Sequence, residues 1–255
     1  MRAHRHALSI AAVIAAMALF GVAGTAQAVF PNFAGCTATN FEFDACLDIQ
    51  NRAGTNINIK GFNVPLGESL EIRGTLRGNG TFTPLFVPPT GTNGFFARAV
   101  PVPGGLLGIE WIPGNSVLAI TELAGPASAI RLNIITHDIT IPIKVRLVNV
   151  LLGMDCHIGT NSRPVVLNLT SGTTSPLPPN TPISGSRGTE EGFERGLIFR
   201  GGINVDNSFA VPGATECGLG LGLINSLVNL RLRLPSAAGN NSTTVYNDVA
   251  LRLTA

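Results

Sequence analysis

The sequence has few of the side chains and motifs on which most catalysis depends. Its 255 residues include four histidines and four cysteines, and only 13% of the residues are charged. It contains no G-x-S-x-G, H-E-x-x-H, C-x-x-C, P-loop or G-x-G-x-x-G sequence. These motifs mark serine hydrolases, zinc peptidases, redox or zinc sites and nucleotide-binding sites. Their absence argues against those classes, and it leaves a hydrolase that uses dispersed carboxylates as an alternative.

Aromatic side chains other than phenylalanine are almost missing. There is one tryptophan, Trp111, and one tyrosine, Tyr246, beside 13 phenylalanines. Membrane pores built from strands carry aromatic girdles at both interfaces, and sugar-binding modules usually offer aromatic platforms. The scarcity weakens both an envelope pore and a glycan-binding module, which stay as alternatives. Trp111 lies between Ile109 and Ile112 and is predicted to belong to the core.

The two histidines outside the first 28 residues are His137 and His157. Each has a reactive neighbour in the sequence, Asp138 and Cys156 respectively. Neighbouring residues on a strand point to opposite faces, so neither pair can form a local catalytic dyad. Both histidines are therefore predicted to be structural.

One cluster of carboxylates stands out, Glu190, Glu191 and Glu194. It could form a weak calcium site, but a solvated loop is the favoured interpretation. No catalytic, cofactor-binding or metal-binding residue is assigned, and no cofactor is expected.

The chain begins with the pattern of a secretory signal peptide. Arg2 and Arg5 precede an apolar run over 7–23, and Ala26-Gln27-Ala28 follows as a small-residue cleavage site. We expect cleavage after Ala28, so that residues 29–255 form a single secreted β-rich domain. A retained membrane anchor is the alternative, since the run has about the minimum length of 17 residues for a span.

The cysteines bear on a rival cleavage site. Ala34-Gly35-Cys36 resembles the end of a lipobox, but it lies a dozen residues beyond the apolar run. The four cysteines, an even number in an exported chain, predict two disulfides among Cys36, Cys46, Cys156 and Cys217. Lipidation of Cys36 would leave one thiol unpaired. Local pairing, Cys36 with Cys46 and Cys156 with Cys217, is preferred, and the other pairings stay open.

The predicted mature chain is electrically neutral. Of the 17 Lys and Arg residues, Arg2 and Arg5 lie in the leader, so 15 remain against 15 acidic residues. Nucleic-acid affinity depends on neutralising phosphates with Lys and Arg, and anionic lipid attracts polybasic clusters. The charge balance gives no reason to expect either partner. After signal cleavage, no transmembrane helix is expected.

Alternation with a period of two dominates the rest of the chain. It runs through 41–49, 69–77, 139–147 and 249–253, with further strands expected between them. Strict alternation predicts strands with one buried face and one wet face, hence antiparallel sheets. Turn signals recur between these strands, which favours an all-β, antiparallel β-sandwich-like fold.

Four local features refine this prediction. A bulge is expected at Gly61, where the apolar phase of 57–64 changes. Pro142 should place its strand at an edge or in a bulge. A short helix is expected from about Leu223, followed by strand spacing at Leu230, Leu232 and Leu234. The Pro/Ser/Thr/Gly-rich segment 171–192 is expected to be a long surface loop or a linker.

Three stretches together carry a family resemblance: DCHIGTNSRPVVLNLTSGTTSPLPPNTPISG, FAVPGATECG and LPSAAGNNSTTV. They resemble an uncharacterised family of secreted actinobacterial proteins, over about 155–255. The resemblance implies export to the surface or medium of a Gram-positive actinobacterium, with Cys156 and Cys217 as a pair. It transfers no activity and no catalytic residue. Glu216 departs from the family pattern, where glycine is expected.

These observations favour a non-enzymatic secreted or cell-envelope protein with a structural or adhesive role. Cell-envelope components or a second copy of the chain are the expected kinds of partner. A secreted module that binds a glycan or an apolar ligand is the first alternative. A carboxylate-dependent hydrolase and an envelope pore are the others.

Overall fold

The computed structural model describes residues 30–37, 44–109, 112–218 and 222–253. The predicted signal peptide, residues 41–43 of the first predicted strand, and Trp111 lie outside these residues. Within them, sixteen strands and one α-helix account for the regular structure, apart from one turn of 3-10 helix at Ala127–Ala129. The prediction of an all-β fold with one short helix near the C-terminus is confirmed.

The strands are short in the first half of the chain and longer towards the end. The helix, α1, spans Gly222–Leu232 and precedes the last strand. The strands are β1 Ala45–Asn51, β2 Asn56–Ile59, β3 Phe62–Pro65, β4 Leu70–Arg77, β5 Leu85–Val87, β6 Phe95–Ala97, β7 Val100–Pro101, β8 Leu118–Leu123, β9 Arg131–Leu132, β10 Ile139–Val148, β11 His157–Ile158, β12 Val165–Leu169, β13 Thr189–Phe193, β14 Gly196–Asp206, β15 Ala214–Thr215 and β16 Asn241–Leu253.

All strand pairs are antiparallel, and they form two facing halves. One half runs in the order β13-β14-β16-β1-β4, and the other is centred on β10, which pairs with β8, β9, β11 and β12. The halves are joined through β5, which pairs with both β4 and β9. On the opposite side, Thr170 bridges to Val205 in β14. Apolar side chains of both halves meet in one core cluster.

The alternation read from the sequence corresponds to this packing. In β12, Val165, Leu167 and Leu169 are buried while Val166 and Asn168 are exposed. In β10, the isoleucines at 139, 141 and 143 are buried in the same way. One face of each strand therefore supplies the core, as the period of two predicts.

The bulge predicted at Gly61 is wrong. Strands β2 and β3 pair in continuous register up to Ile59 and Phe62, which leaves Lys60 and Gly61 as a two-residue hairpin turn. Both have positive φ, 48° and 83°, as the tightest hairpin turns require. The apolar alternation changes phase here because the chain reverses direction. A second strand, with its own alternation, begins at Phe62.

The prediction for Pro142 is also corrected, because its strand is neither at an edge nor bulged there. Pro142 pairs with Val166 on one side of β10. On the other side the partner changes from β9, whose pairing stops at Thr140 opposite Arg131, to β8, whose pairing starts at Ile143 opposite Leu123. The Pro142 carbonyl accepts a hydrogen bond from the Ala124 amide. The missing amide proton therefore faces the gap between two short partner strands.

The strand predicted after the helix is wrong, because α1 continues to Leu232. Arg233 then adopts φ of 59°, and the Leu234 amide donates to the carbonyl of Asn229, which closes the last turn. Segment 171–192 is a surface segment but not a free linker. It is held by bridges from Thr173 to Ser184 and from Ser186 to Ile203, and its end forms part of β13.

Candidate functional surface at the helix end

Helix α1 carries apolar side chains on two faces. Ile224, Val228 and Leu232 pack against the core at the spacing of a helical face. Leu223 and Leu230 lie seven residues apart, so they share a different face, and they are 82% and 79% exposed. Leucines on an amphipathic helix normally face the core, whereas the described part of the chain leaves Leu223 and Leu230 largely uncovered.

The helix is fastened to the fold by its two inward asparagines and by a disulfide just before it. Asn225 Oδ1 accepts from the Cys217 amide at 2.8 Å, and Asn229 Oδ1 accepts from the Ala214 amide at 2.7 Å. Cys217 in turn is bonded to Cys156. The exposed leucines are therefore presented on a fixed element.

A compact loop over 102–117 adjoins the helix. Its described residues are folded around Asn115, whose side chain bonds the backbone at Gly104, Leu107 and Ile109. The guanidinium of Arg231 in α1 donates to the Pro103 carbonyl at 2.7 Å. The loop leaves Leu107 and Ile109 at the surface, 52% and 41% exposed.

A third segment, 149–154, joins the other two. The Asn149 side chain donates to the carbonyls of Gly114 and Ser116, and the Leu152 carbonyl accepts from the Gly218 amide just before the helix. Val150, Leu151 and Met154 are the exposed residues here, and Val150 is 88% exposed. We call the exposed large apolar residues of these three segments the aliphatic end: Leu107, Ile109, Val150, Leu151, Met154, Leu223 and Leu230.

The described residues of these three segments carry little charge. Among those of 102–117, 149–154 and 222–232, Arg231 alone is charged, while exposed Asp155 follows Met154 directly. The Arg231 guanidinium is bound to Pro103 and lies 4.8 Å from the centre of the Phe62 ring. Large exposed apolar patches on globular proteins mark interaction sites. The sequence analysis missed this surface, although a helix that is apolar on both faces was a signal for it.

The four cysteines form the two local disulfides, Cys36–Cys46 and Cys156–Cys217. The described residues contain no free cysteine. The second bridge spans 61 positions and includes segment 171–192, so both flanks of that segment belong to one body. Disulfides of this kind are typical of oxidising compartments.

His157 belongs to a charged cluster on the outer face of β8, β10 and β11. Its Nδ1 lies 2.7 Å from the Asp155 carbonyl, and its Nε2 lies 3.6 Å from the Glu122 carboxylate. Arg146 and Lys144 also contact Glu122, at 2.7 and 3.6 Å. Burial raises the pKa of Glu122, but the hydrogen bond and charge of Arg146, with Lys144 and His157, outweigh it and lower that pKa overall.

His137 lies in a turn against the core rather than beside a nucleophile. It has φ of 58°, and its ring meets the ring of Phe199 edge-on at 4.3 Å. Its Nε2 is buried and has no hydrogen-bond partner among the described residues. Burial, followed by the charge of Arg187, lowers the pKa of His137, and this favours the neutral ring.

The glutamates at 190, 191 and 194 are solvent-exposed, but the loop expected for them is corrected, because Glu190 and Glu191 lie in strand β13. Glu190 and Glu191 are adjacent on β13, so their side chains point to opposite faces. Glu191 is paired with Arg200 at 2.8 Å. No group of three or more metal-ligating side chains comes together in the described ranges.

The outer face of β1, which the alternation predicts to be wet, is covered. Segment 30–37 lies across it, bonded through Cys36–Cys46 and through the Thr37 amide, which donates to Thr75 Oγ1 at 2.8 Å. Asp48 is fully buried beneath this segment. Its Oδ2 accepts from the Asn32 amide at 2.6 Å, and its Oδ1 has no partner among the described residues.

Burial of Asp48 shifts its acidity strongly. It raises the pKa from the ordinary 3.8 to about 7, against the lowering effect of the Asn32 hydrogen bond. The charge of Glu71 adds to the rise, while the charge of Arg73 and the Gln50 side-chain hydrogen bond oppose it. Sequence analysis placed Asp48 on the wet face, because nothing in the local pattern reveals a cover supplied by another segment.

A cavity of about 60 Å³ lies between the two halves of the sheet. It is lined mainly by aliphatic side chains from both halves, among them Ile49, Ile72, Ile141, Leu167 and Val245. A neighbouring cavity of about 30 Å³ shares Ile49 and reaches His137. An apolar cavity can take small apolar molecules.

The described part of the chain contains no helix with the length and hydropathy needed to span a bilayer. Comparison with family models, with curated proteins and with solved structures found no match to this chain.

Proposed function

We propose that this is a non-enzymatic secreted or cell-envelope protein with a structural or adhesive role, and that it acts through the aliphatic end. The single observation that carries the proposal is the outward face of α1, with Leu223 and Leu230 about four-fifths exposed on a helix that is otherwise embedded. Exposed leucine costs free energy in water, about 25 cal/mol per Å² of apolar surface. A contact that covers this face is correspondingly favourable.

Three further features support the same role. The leader pattern and the two disulfides fit an exported protein. The helix that presents the leucines is fixed by Asn225, Asn229 and the Cys156–Cys217 bridge. A rigid surface loses little conformational entropy when it binds, which favours affinity.

The test of this role is retention on the cell surface. The full chain is secreted from an actinobacterial host, and the fractions in the cell wall and the medium are quantified by immunoblot. We expect the double variant Leu223→Gln/Leu230→Gln to move from the cell wall to the medium, with the cell-wall fraction falling at least about tenfold, or about 1.4 kcal/mol. Glutamine keeps the helix propensity while removing the apolar contact.

The matched control is Leu177→Gln, which changes a leucine that is 62% exposed on segment 171–192. It should leave the distribution unchanged. Equal retention of the wild type and the double variant would show that the aliphatic end is not the adhesive surface.

A second candidate, binding of a small apolar ligand, is favoured by the 60 Å³ cavity. We expect xenon under pressure, a small apolar probe, to raise the unfolding temperature of the wild type, because a ligand that binds only the folded state stabilises it. Val245→Leu, which adds a methylene to the cavity lining, should reduce the rise by about half or more. Val166→Leu, on the exposed face of β12, is the control. An equal rise in all three proteins would place the xenon outside the cavity.

A further inference from the structure

We infer that residues 30–37 form a strap that lifts from the outer face of β1 as the pH rises, and that ionisation of Asp48 beneath the strap controls the opening. The strap shares no residue with the aliphatic end, and the proposed function does not depend on it. Three features of the structure point to this device: the attachment of the strap, the unpartnered polar atom beneath it, and the charges around Asp48.

The covalent attachment of the strap lies at one end. Cys36 is bonded to Cys46 of β1, and the neighbouring Thr37 amide donates to Thr75 Oγ1 at 2.8 Å. Gly35, just before this anchor, has φ of 77°, a conformation that glycine adopts at little cost. The anchor therefore keeps the strap beside β1 even when its other contacts break.

The rest of the strap is held by noncovalent contacts. The Phe33 ring stacks on the Phe193 ring at 6.3 Å between centroids, and the Arg252 guanidinium lies 4.5 Å from the centre of the Phe33 ring. The Asn32 amide donates to Asp48 Oδ2 at 2.6 Å. Because a short surface segment makes few contacts, it can open locally while the sheet stays folded.

The carboxyl beneath the closed strap is only partly satisfied. Asp48 is fully buried, and its Oδ1 has no hydrogen-bond partner among the described residues. Arg73 pairs with Asp48 across β1 and β4, but its guanidinium contacts Glu71 at 3.1 Å and lies 4.2 Å from the centre of the Phe96 ring. Burial of a polar atom without a partner costs free energy, so Asp48 gains hydrogen bonds to water when the strap lifts.

Charged groups of both signs face Asp48 from the two strands beside β1. They lie on the same sheet face within two positions of its cross-strand partners: Glu71 and Arg73 on β4, and Asp248 and Arg252 on β16. Each strand contributes one charge of each sign, and residues 30–37 carry no charge. Burial, opposed by the Asn32 hydrogen bond, then raises the pKa of Asp48 from 3.8 to about 7.

Opening of the strap is therefore coupled to ionisation of Asp48. Beneath the closed strap Asp48 keeps its proton up to about pH 7, whereas exposure to water returns the carboxyl towards its ordinary acidity. Between about pH 4 and about pH 7 the open form releases a proton that the closed form keeps, so rising pH favours opening. Above about pH 7 both forms are ionised, and the pH dependence ends.

The test follows hydrogen exchange of the Asn32 amide in the full protein by NMR, at several values between about pH 4 and about pH 8. Protection factors remove the intrinsic pH dependence of exchange. We expect the protection factor of the wild type to fall at least about tenfold between pH 4 and pH 7. Asp48→Asn has no proton to release and should show no fall. Glu216→Gln, which removes an exposed carboxylate after β15, is the matched control and should behave as the wild type does.

A second amide distinguishes opening of the strap from unfolding of the whole protein. The Leu147 amide, in the other half of the sheet, donates to the Cys156 carbonyl at 2.8 Å. Asn32 should be less protected than Leu147 at every pH, because the strap opens while the sheet stays folded. This comparison needs only the wild type, so it holds even where a variant does not fold.

Three results would overturn the inference. Equal protection of the Asn32 and Leu147 amides would mean that the strap opens only when the whole protein unfolds. A constant protection factor for Asn32 in the wild type would mean that opening is independent of pH. An equal fall in folded Asp48→Asn, with folding established by circular dichroism, would assign the pH dependence to another group.

Discussion

The stability difference between Asp48→Asn and the wild type is expected to change by about 4 kcal/mol between pH 4 and pH 8, in favour of asparagine at the higher pH. The reason is the pKa of Asp48, which burial raises from 3.8 to about 7. Each unit of difference between folded and unfolded states corresponds to about 1.4 kcal/mol.

The sign follows from which state holds the proton. Well below pH 3.8 the carboxyl is protonated in both states, and its full contribution to stability is present. As the pH rises, the unfolded chain ionises first while folded Asp48 keeps its proton, so the free energy of unfolding falls. The loss is complete above about pH 7, where the folded carboxyl ionises without a partner for its Oδ1. Asparagine keeps an acceptor for the Asn32 amide and has no proton to lose.

The measurement is urea unfolding of both proteins at several values between pH 4 and pH 8, with the difference plotted against pH. Subtracting the two curves removes the titration of every other group. Glu68→Gln, which removes an exposed carboxylate elsewhere on the surface, is the control substitution. A flat difference for Asp48→Asn would mean that Asp48 is already ionised at pH 5 in the folded protein.

Removing the Cys156–Cys217 bridge is the second large effect. Its 61-residue separation predicts a loss of about 4 kcal/mol when both cysteines are replaced by alanine, since the open unfolded chain gains loop entropy. Alanine avoids placing a hydroxyl in positions that are buried. The Cys36–Cys46 bridge has a separation of 10, and its removal should cost somewhat under 3 kcal/mol.

The comparison of the two double variants provides the control, because each removes one disulfide from the same protein. Denaturant unfolding should rank the wild type first, then the variant without Cys36–Cys46, then the variant without Cys156–Cys217. The last variant should also lose protection from hydrogen exchange at the backbone amides of positions 214 and 217, which anchor α1 through Asn229 and Asn225. The reverse ranking would mean that loop closure does not control the contribution of these bridges.

The sequence by itself determined the fold class, the covalent pairing preference and most of the core. Alternation in β10 and β12 depends only on the two-residue repeat of an extended chain. It therefore identifies the buried face of a strand whenever one face of that strand packs against the core and the other faces solvent. The same local logic identified α1, although its end was missed. Leu230 and Leu232 have the spacing of a strand face, whereas in the helix they lie on opposite sides, Leu230 exposed and Leu232 buried.

The tertiary structure alone decided the features that depend on contacts between distant segments. Asp48 is buried because residues 30–37 cross the outer face of β1, and no period within β1 encodes that cover. Pro142 is accommodated where β9 gives way to β8, which is a property of its partners. The aliphatic end exists because three segments far apart in the chain meet beside α1. The local sequence pattern indicates the backbone conformation of a residue. Its burial or exposure depends on which distant segments of the chain pack next to it.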